Sequence, residues 1–281
     1  MNKPICKVVF ISMSIMAFSG CGGGSPAATS ESVPPTESAG ETTAAESPEP
    51  ADTPQTSDGG IVEDVAGRIV WLRSSNPYGH TGFKLESGGK VIYLDPVELT
   101  SLDSLPKADV ILITHPHEDH FSVPTIAALT KEGTVVASIR QVGDSLAGVD
   151  FVPMAVGDTA DVGGLEVTAV AAYNDYHPKD QGWLGFVFTV EGVRIYCTGD
   201  TDWIPEMESI TGIDIAVVNL RSPYSLSGRD AVRVAETIKP KIVIPVHWMP
   251  DDDTYGDQAE LEYLRENIPA GVRLLVLEPT P

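Results

Sequence analysis

Residues 115–120 read His-Pro-His-Glu-Asp-His, which places three of the chain's six histidines and two carboxylates in six consecutive positions. Imidazole and carboxylate are ligands that zinc, iron and manganese accept, so this segment points to metal binding. A lone imidazole is more often a surface or hydrogen-bonding group; three so close together argue otherwise. His115 and His117 can converge on one ion, and Asp119 and His120 can then turn toward a second. The segment begins where the apolar run of residues 110–113 ends. A strand end is where a rigid scaffold hands the chain to a loop that can carry function.

The elements that must position this loop are legible from residue 67 onward as short β-rich runs separated by Gly, Pro and Asp. Candidate strands are 68–73, 82–86, 90–94, 109–114 and 134–137, then 165–171, 186–190, 194–197, 214–219, 241–246 and 272–277. Apolar residues recur at spacings of three and four over 124–132, 229–238 and 257–267, which predicts helices there. The two halves are alike: GFKLESGGKVIYLDP (82–96) parallels GFVFTVEGVRIYCTGD (185–200), and ADVILITH (108–115) parallels IDIAVVNL (213–220). Each repeats hairpin, buried strand, helix, strand. Continuous apolar runs in the buried strands call for sheets covered on both faces. Two such sheets packed together with helices outside give the expected fold class, an α/β four-layer αββα sandwich of two mixed sheets.

The segment from Thr114 to His120 resembles the first motif of the metallo-β-lactamase superfamily, His-x-His-x-Asp-His, and the resemblance extends over nearly all of residues 67–281. The family's later motifs follow in order. His177, in Tyr176-His177-Pro178, precedes the hairpin 186–197; Asp200 lies at that hairpin's end; His247 follows the strand 241–246. The resemblance implies that His115, His117 and His177 hold a first metal ion, that Asp119, His120 and His247 hold a second, and that Asp200 bridges them. It also implies two divalent ions, zinc foremost with iron or manganese as alternatives, sharing a hydroxide that attacks the substrate, with Asp119 as the catalytic proton shuttle. The loop around His177 departs from the His-x-x-Gly-His form of glyoxalase II and true lactamases. A solvent-facing loop histidine is the alternative for His177, a hairpin cap for Asp200 and a core histidine for His247. The lactamases that use a cysteine ligand have it where this chain has Asp200, which weakens a β-lactam substrate. Cys197, inside an apolar strand, is expected to pack in the core. His80 lies outside the motif set, with a surface or hydrogen-bonding role expected.

The implied activity is hydrolysis of a small-molecule ester, lactone, amide or phosphoester. The alternative is a membrane-tethered metal- or ligand-binding protein of the same fold without turnover. Tyr173, Asn174, Trp183, Trp203, Arg221, Tyr224 and Trp248 stand out beside the motifs as possible mouth residues, but they identify no substrate. The stretches 172–174, 196–202 and 245–248 look most like an uncharacterised branch near the ascorbate-6-phosphate lactonase group. A net charge of −22 opposes polyanions, so nucleic acid is not an expected partner.

The N-terminus reads as an export signal (residues 1–20), with Lys3 and Lys7 flanking an apolar core too short to span a bilayer. Phe18-Ser19-Gly20-Cys21 resembles the bacterial lipobox, which implies lipid attachment at Cys21 and a place in the cell envelope, anchored to a membrane and facing the periplasm or the exterior. Residues 21–60 are Gly, Ser, Pro, Ala, Thr, Glu and Asp almost throughout and are expected to form a disordered acidic tether. The catalytic domain is then 61–281. Of three cysteines only Cys197 falls in that domain, so no disulfide framework is available.

Overall fold

Three strands are buried at every position, Val110–Leu112, Ile215–Asn219 and Ile242–Val246, as their uninterrupted apolar runs require. They form the centres of two sheets in a computed structural model, which describes residues 59–78, 81–249 and 257–280. The export signal, Cys21, the tether to residue 58 and His80 lie outside the described residues.

The first sheet runs β1 (Ile69–Trp71), β2 (Phe83–Ser87), β3 (Lys90–Leu94), β4 (Val110–Leu112), β5 (Val135–Ser138) and β6 (Asp150–Pro153), in that order. The second contains β7 (Thr159–Val162), β8 (Leu165–Ala171), β9 (Leu184–Val190), β10 (Val193–Cys197), β11 (Ile215–Asn219), β12 (Ile242–Val246) and β13 (Arg273–Leu274), in the reverse order across the sheet. Hairpins β2–β3 and β9–β10 are antiparallel, whereas β3 to β6 and β10 to β13 are parallel ladders. Both sheets are mixed and share one apolar core, with helices flanking them in the expected αββα arrangement.

The helices are α1 (Gly59–Gly67), α2 (Val123–Leu129), α3 (Arg140–Gly143), α4 (Gly228–Ile238) and α5 (Asp257–Asn267). Local chemistry sets their starts. Ser122 accepts from Thr125 N ahead of α2, and Ser227 accepts from Asp230 N ahead of α4, each replacing a lost intrahelical bond. Helix α4 buries Ala231, Val234, Ala235 and Ile238, the three-and-four spacing that marks it in the sequence.

Sequence and structure part at the sheet edges. Strands β6 and β7 are not expected from the sequence. They are edge strands in which only Val162 is buried, so neither has the apolar run of a central strand. The expected strand 272–277 shrinks to Arg273–Leu274, also at an edge. Helices α1 and α3 are likewise not expected from the sequence; they span nine and four residues.

Candidate metal centre

Strands β3, β4, β10 and β12 each lead into chemistry-bearing residues just beyond their ends, and His177 lies between the antiparallel strands β8 and β9. After β3, Asp95 is fully buried; its Oδ1 accepts from Thr114 N and its Oδ2 from Thr114 Oγ1, each at 2.7 Å. This fixes the first turn beyond β4. The loop then closes on itself, with His120 N and Phe121 N both donating to His117 O. Asp95 Oδ2 also lies 2.9 Å from His120 Nδ1. His115 Nδ1 is 3.0 Å from Thr114 Oγ1, and His177 Nδ1 is 2.9 Å from Asn174 Oδ1. With Nδ1 engaged on the outer side, each of these rings turns Nε2 inward. His247, directly after β12, is held at φ 71, a backbone region that a residue with a Cβ seldom occupies.

The inward atoms meet. Asp200 Oδ2 stands 3.2 Å from His120 Nε2, 3.4 Å from His177 Nε2 and 3.5 Å from His247 Nε2. Asp119 Oδ2 lies 3.8 Å from the Nε2 atoms of both His120 and His247. Three sets of ligand atoms lie close enough to share an ion: His115, His117 and His177; His115, His120 and Asp200; Asp119, His120 and His247. All seven residues singled out by the sequence are therefore together. His177 is buried, so the alternative of a solvent-facing loop histidine does not describe its position.

The donor set fits divalent cations. The Nε2 atoms of His115, His120, His177 and His247 are buried with no hydrogen-bond partner among the described residues. Leaving such a group unsatisfied costs about 1–3 kcal/mol. Burial drives His115 well below the ordinary imidazole range and His177 down to about 4, leaving both neutral with a lone pair to donate. For Asp200, burial pushes the carboxyl up, but His120 and His247 outweigh it and hold it well below the usual carboxylate range. The second oxygen, Oδ1, accepts from Asn219 Nδ2 at 2.8 Å, which turns Oδ2 toward the rings.

Trp183 backs the first histidine set, stacked on His115 at 4.9 Å and edge-on to His117 at 4.6 Å. Of the other residues beside the motifs, Arg221 and Tyr224 line a cavity of about 350 Å³ onto which His117, Asp119, His177 and Asp200 open. Tyr173 and Trp203 line a different hollow. Trp248 is buried against Trp71, with ring centroids 5.5 Å apart. Cys197 is buried in β10, where burial pushes its thiol up. Asp95 and Asn219 were not singled out by the sequence. Asp95 had one signal, since it closes the first hairpin of the internal repeat where residues 198–200 close the second.

A family model described as a β-lactamase superfamily domain matches residues 76–247. A metal-dependent hydrolase of the UPF0173 family from Archaeoglobus fulgidus is 32% identical over 200 residues, covering 64% of this chain and 83% of the relative. The chain belongs to the metallo-β-lactamase superfamily, in the UPF0173 family. A second UPF0173 relative, from Symbiobacterium thermophilum, is 33% identical over 186 residues, 60% of this chain and 81% of its own. Among solved structures, a candidate metal-dependent hydrolase from Parabacteroides distasonis superposes with a TM-score of 0.62 at 30% identity, covering 72% of this chain and 91% of that one. The Igni18 metallo hydrolase of Ignicoccus hospitalis, at 24% identity, shares the fold with a TM-score of 0.61 over 76% of this chain and 97% of its own.

Proposed function

We propose that this superfamily member is a metal-dependent hydrolase of small molecules, its centre built for two divalent ions with zinc expected first. His115, His117 and His177 would hold one ion and Asp119, His120 and His247 the other, with Asp200 shared between them. The observation that carries the reading is a single buried carboxylate oxygen, Asp200 Oδ2, within 3.5 Å of three otherwise unpartnered imidazole nitrogens. Bound cations of this kind supply water acidified to near neutral pH and polarise the oxygen of the bond under attack.

The chain's own residues do the rest. Asp119 is partly exposed to the cavity and close to two rings of the centre, so it can take a proton from the attacking water and return it to the leaving group. Asp95, Asn174 and Asn219 hold His120, His177 and Asp200 in place, as outer partners of metal-binding residues do. The cavity suits a small molecule bearing an ester, lactone, amide or phosphoester.

Chelation should abolish hydrolysis across a panel of such compounds, and titrating metal back should restore it at two ions per chain. Restoration at one ion would refute the paired centre. A fully loaded protein that turns over none of the panel would instead favour a tethered binding protein. The same proposal places the enzyme in the cell envelope through acylated Cys21. Cys21→Ala should leave metal content unchanged and move the protein out of the membrane fraction, and unchanged partition would refute the anchor.

A further inference from the structure

Five large apolar side chains are exposed among the described residues, and three of them, Tyr78, Tyr176 and Tyr224, line the cavity over the candidate metal centre. Exposed aromatic rings scattered singly need no explanation, but rings gathered on one concave surface mark a contact site. They come from three separate segments, so no local sequence effect groups them. Tyr176 and Tyr224 meet edge to face with centroids 4.8 Å apart.

Side-chain amides tie this rim to the centre. Asn174 Oδ1 accepts from Tyr176 N and His177 N at 2.8 Å each and lies 2.9 Å from His177 Nδ1, while Asn174 Nδ2 donates to Tyr224 O at 2.7 Å. On the opposite segment, Asn76 Oδ1 accepts from Tyr78 N at 2.9 Å, and Asn76 Nδ2 donates to Glu118 O at 3.0 Å inside the histidine loop. Each tyrosine is thus set in register with the groups that would do the chemistry. Arg221 is the sole lysine or arginine among the described lining residues. It is buried, and its Nη1 lies 3.3 Å from Asp257 Oδ2. Among the described residues the rim offers flat apolar faces and hydroxyls, with no exposed lysine or arginine to clamp a phosphate.

We propose that the cavity takes an uncharged carboxylic ester or lactone carrying an aromatic ring, with the ring among the three tyrosines and the acyl carbon beside Asp119 and His117. The inference rests on the hydrolase reading above and specifies its substrate class. In the reaction, the water oxygen bonds to the acyl carbon and the acyl–oxygen bond breaks. The departing alkoxide takes one proton by way of Asp119, and the second proton leaves to solvent as the carboxylate forms.

The test uses metal-loaded full-length protein and two matched pairs: γ-phenyl-γ-butyrolactone with γ-butyrolactone, and ethyl phenylacetate with ethyl acetate. The aryl member of each pair should have a kcat/KM at least about tenfold higher, the order expected when one ring packs against aromatic neighbours. In a Tyr176→Leu/Tyr224→Leu double variant the preference should fall to about one through KM, with metal content retained. Phenylacetate binding measured by calorimetry should weaken in parallel. Equal kcat/KM within both pairs, or a variant that keeps the preference, overturns the proposal. If none of the four compounds is hydrolysed, the ester or lactone class is overturned, and the wider panel above decides the hydrolase reading. Calorimetry then still decides the aromatic site: phenylacetate must bind the native protein and lose affinity in the variant.

Discussion

The two halves of the molecule use one frame to opposite ends. In the first, the hairpin β2–β3 ends at Asp95, which accepts Thr114 N from the end of β4. In the second, the hairpin β9–β10 ends at Thr198, whose Oγ1 accepts Asn219 N from the end of β11 at 3.1 Å. The clamp is the same, but the second half continues through Gly199, at φ 63, and brings Asp200 inward. Asp95 therefore touches the outer side of His120, 2.9 Å from Nδ1, while Asp200 faces the inner side, 3.2 Å from Nε2. One imidazole is gripped by a carboxylate from each half. The continuations differ as well. The first half runs on from Thr114 into the histidine loop; the second runs from Asn219 into Leu220, whose N–H donates to Val246 O and sets the neighbouring strand that delivers His247. A duplicated frame can thus place an acid in either layer of the candidate metal centre through the three residues at a hairpin's end, Asp95-Pro96-Val97 in one half and Thr198-Gly199-Asp200 in the other.

Exchanging the charge of each carboxylate for an amide should separate the two layers. Asp200→Asn removes the oxygen shared by three rings, and activity should fall by about 10³-fold or more, a loss of several kcal/mol of electrostatic stabilisation, with metal content falling alongside. Asp95→Asn alters only the outer partner of His120. It should weaken metal binding by about 10- to 100-fold, with hydrolysis recovering at raised metal concentration. Metal titrations of both variants make the comparison. Equal, unrecoverable losses would mean that the two acids do not occupy different layers.

That distinction was only partly visible in the sequence. The inner residues were legible because the first motif packs four of them into six positions, and because the resemblance to the metallo-β-lactamase superfamily carries His177, Asp200 and His247 over from its later motifs. The outer residues were not, since Asp95 and Asn219 are single polar side chains at strand ends whose roles depend on what the other elements bring to them. The fold divides the same way. Strands buried on both faces announce themselves by composition, whereas β6, β7 and β13 lie at sheet edges and carry a mixed pattern. Tyr78 and Tyr176 escaped notice because a cavity rim is defined by how three loops approach one another, and no periodicity records that.

Gly82 and Gly185 occupy equivalent positions in the two repeats, and both lie beneath the hairpin ends. A Cβ at Gly185 would come within 2.7 Å of both Cys197 O and Thr198 O, while one at Gly82 would have Asp95 O as its nearest neighbour, at 2.9 Å, and Pro96 Cα next at 3.5 Å. The obstructing atoms are backbone, so the strand end must shift. Gly185→Ala should destabilise the fold by about 1–3 kcal/mol and lower metal affinity by displacing the turn that carries Asp200. Gly82→Ala should cost less on both counts. Denaturant midpoints and metal titrations give the two readouts, and the reverse order would show that the second hairpin end tolerates displacement better than its geometry implies.

The hairpin turns themselves supply the finest contrast. Gly88 and Glu191 are equivalent, at φ 59 and φ 51, yet only the second carries a side chain, and that side chain reaches across to the first turn. Its carboxylate accepts from Arg68 Nη1 and Nη2 and from Ser87 Oγ at 2.9 Å each, and from Gly88 N at 2.7 Å. The Arg68 hydrogen bond first, then those from Gly88 and Ser87, hold the Glu191 carboxyl down at about 2 against an ordinary 4.5. A depressed carboxyl contributes stability above its unfolded-state value and loses it as pH falls through the folded one. Glu191→Gln should therefore lower the denaturant midpoint slightly at pH 7, where the charged network is complete. The gap between native and variant protein should narrow from pH 4.5 downward and close near pH 2. A gap that stays constant over that window would show that the charge of Glu191 does not couple the two turns, and that hydrogen-bond geometry alone joins the halves at this end.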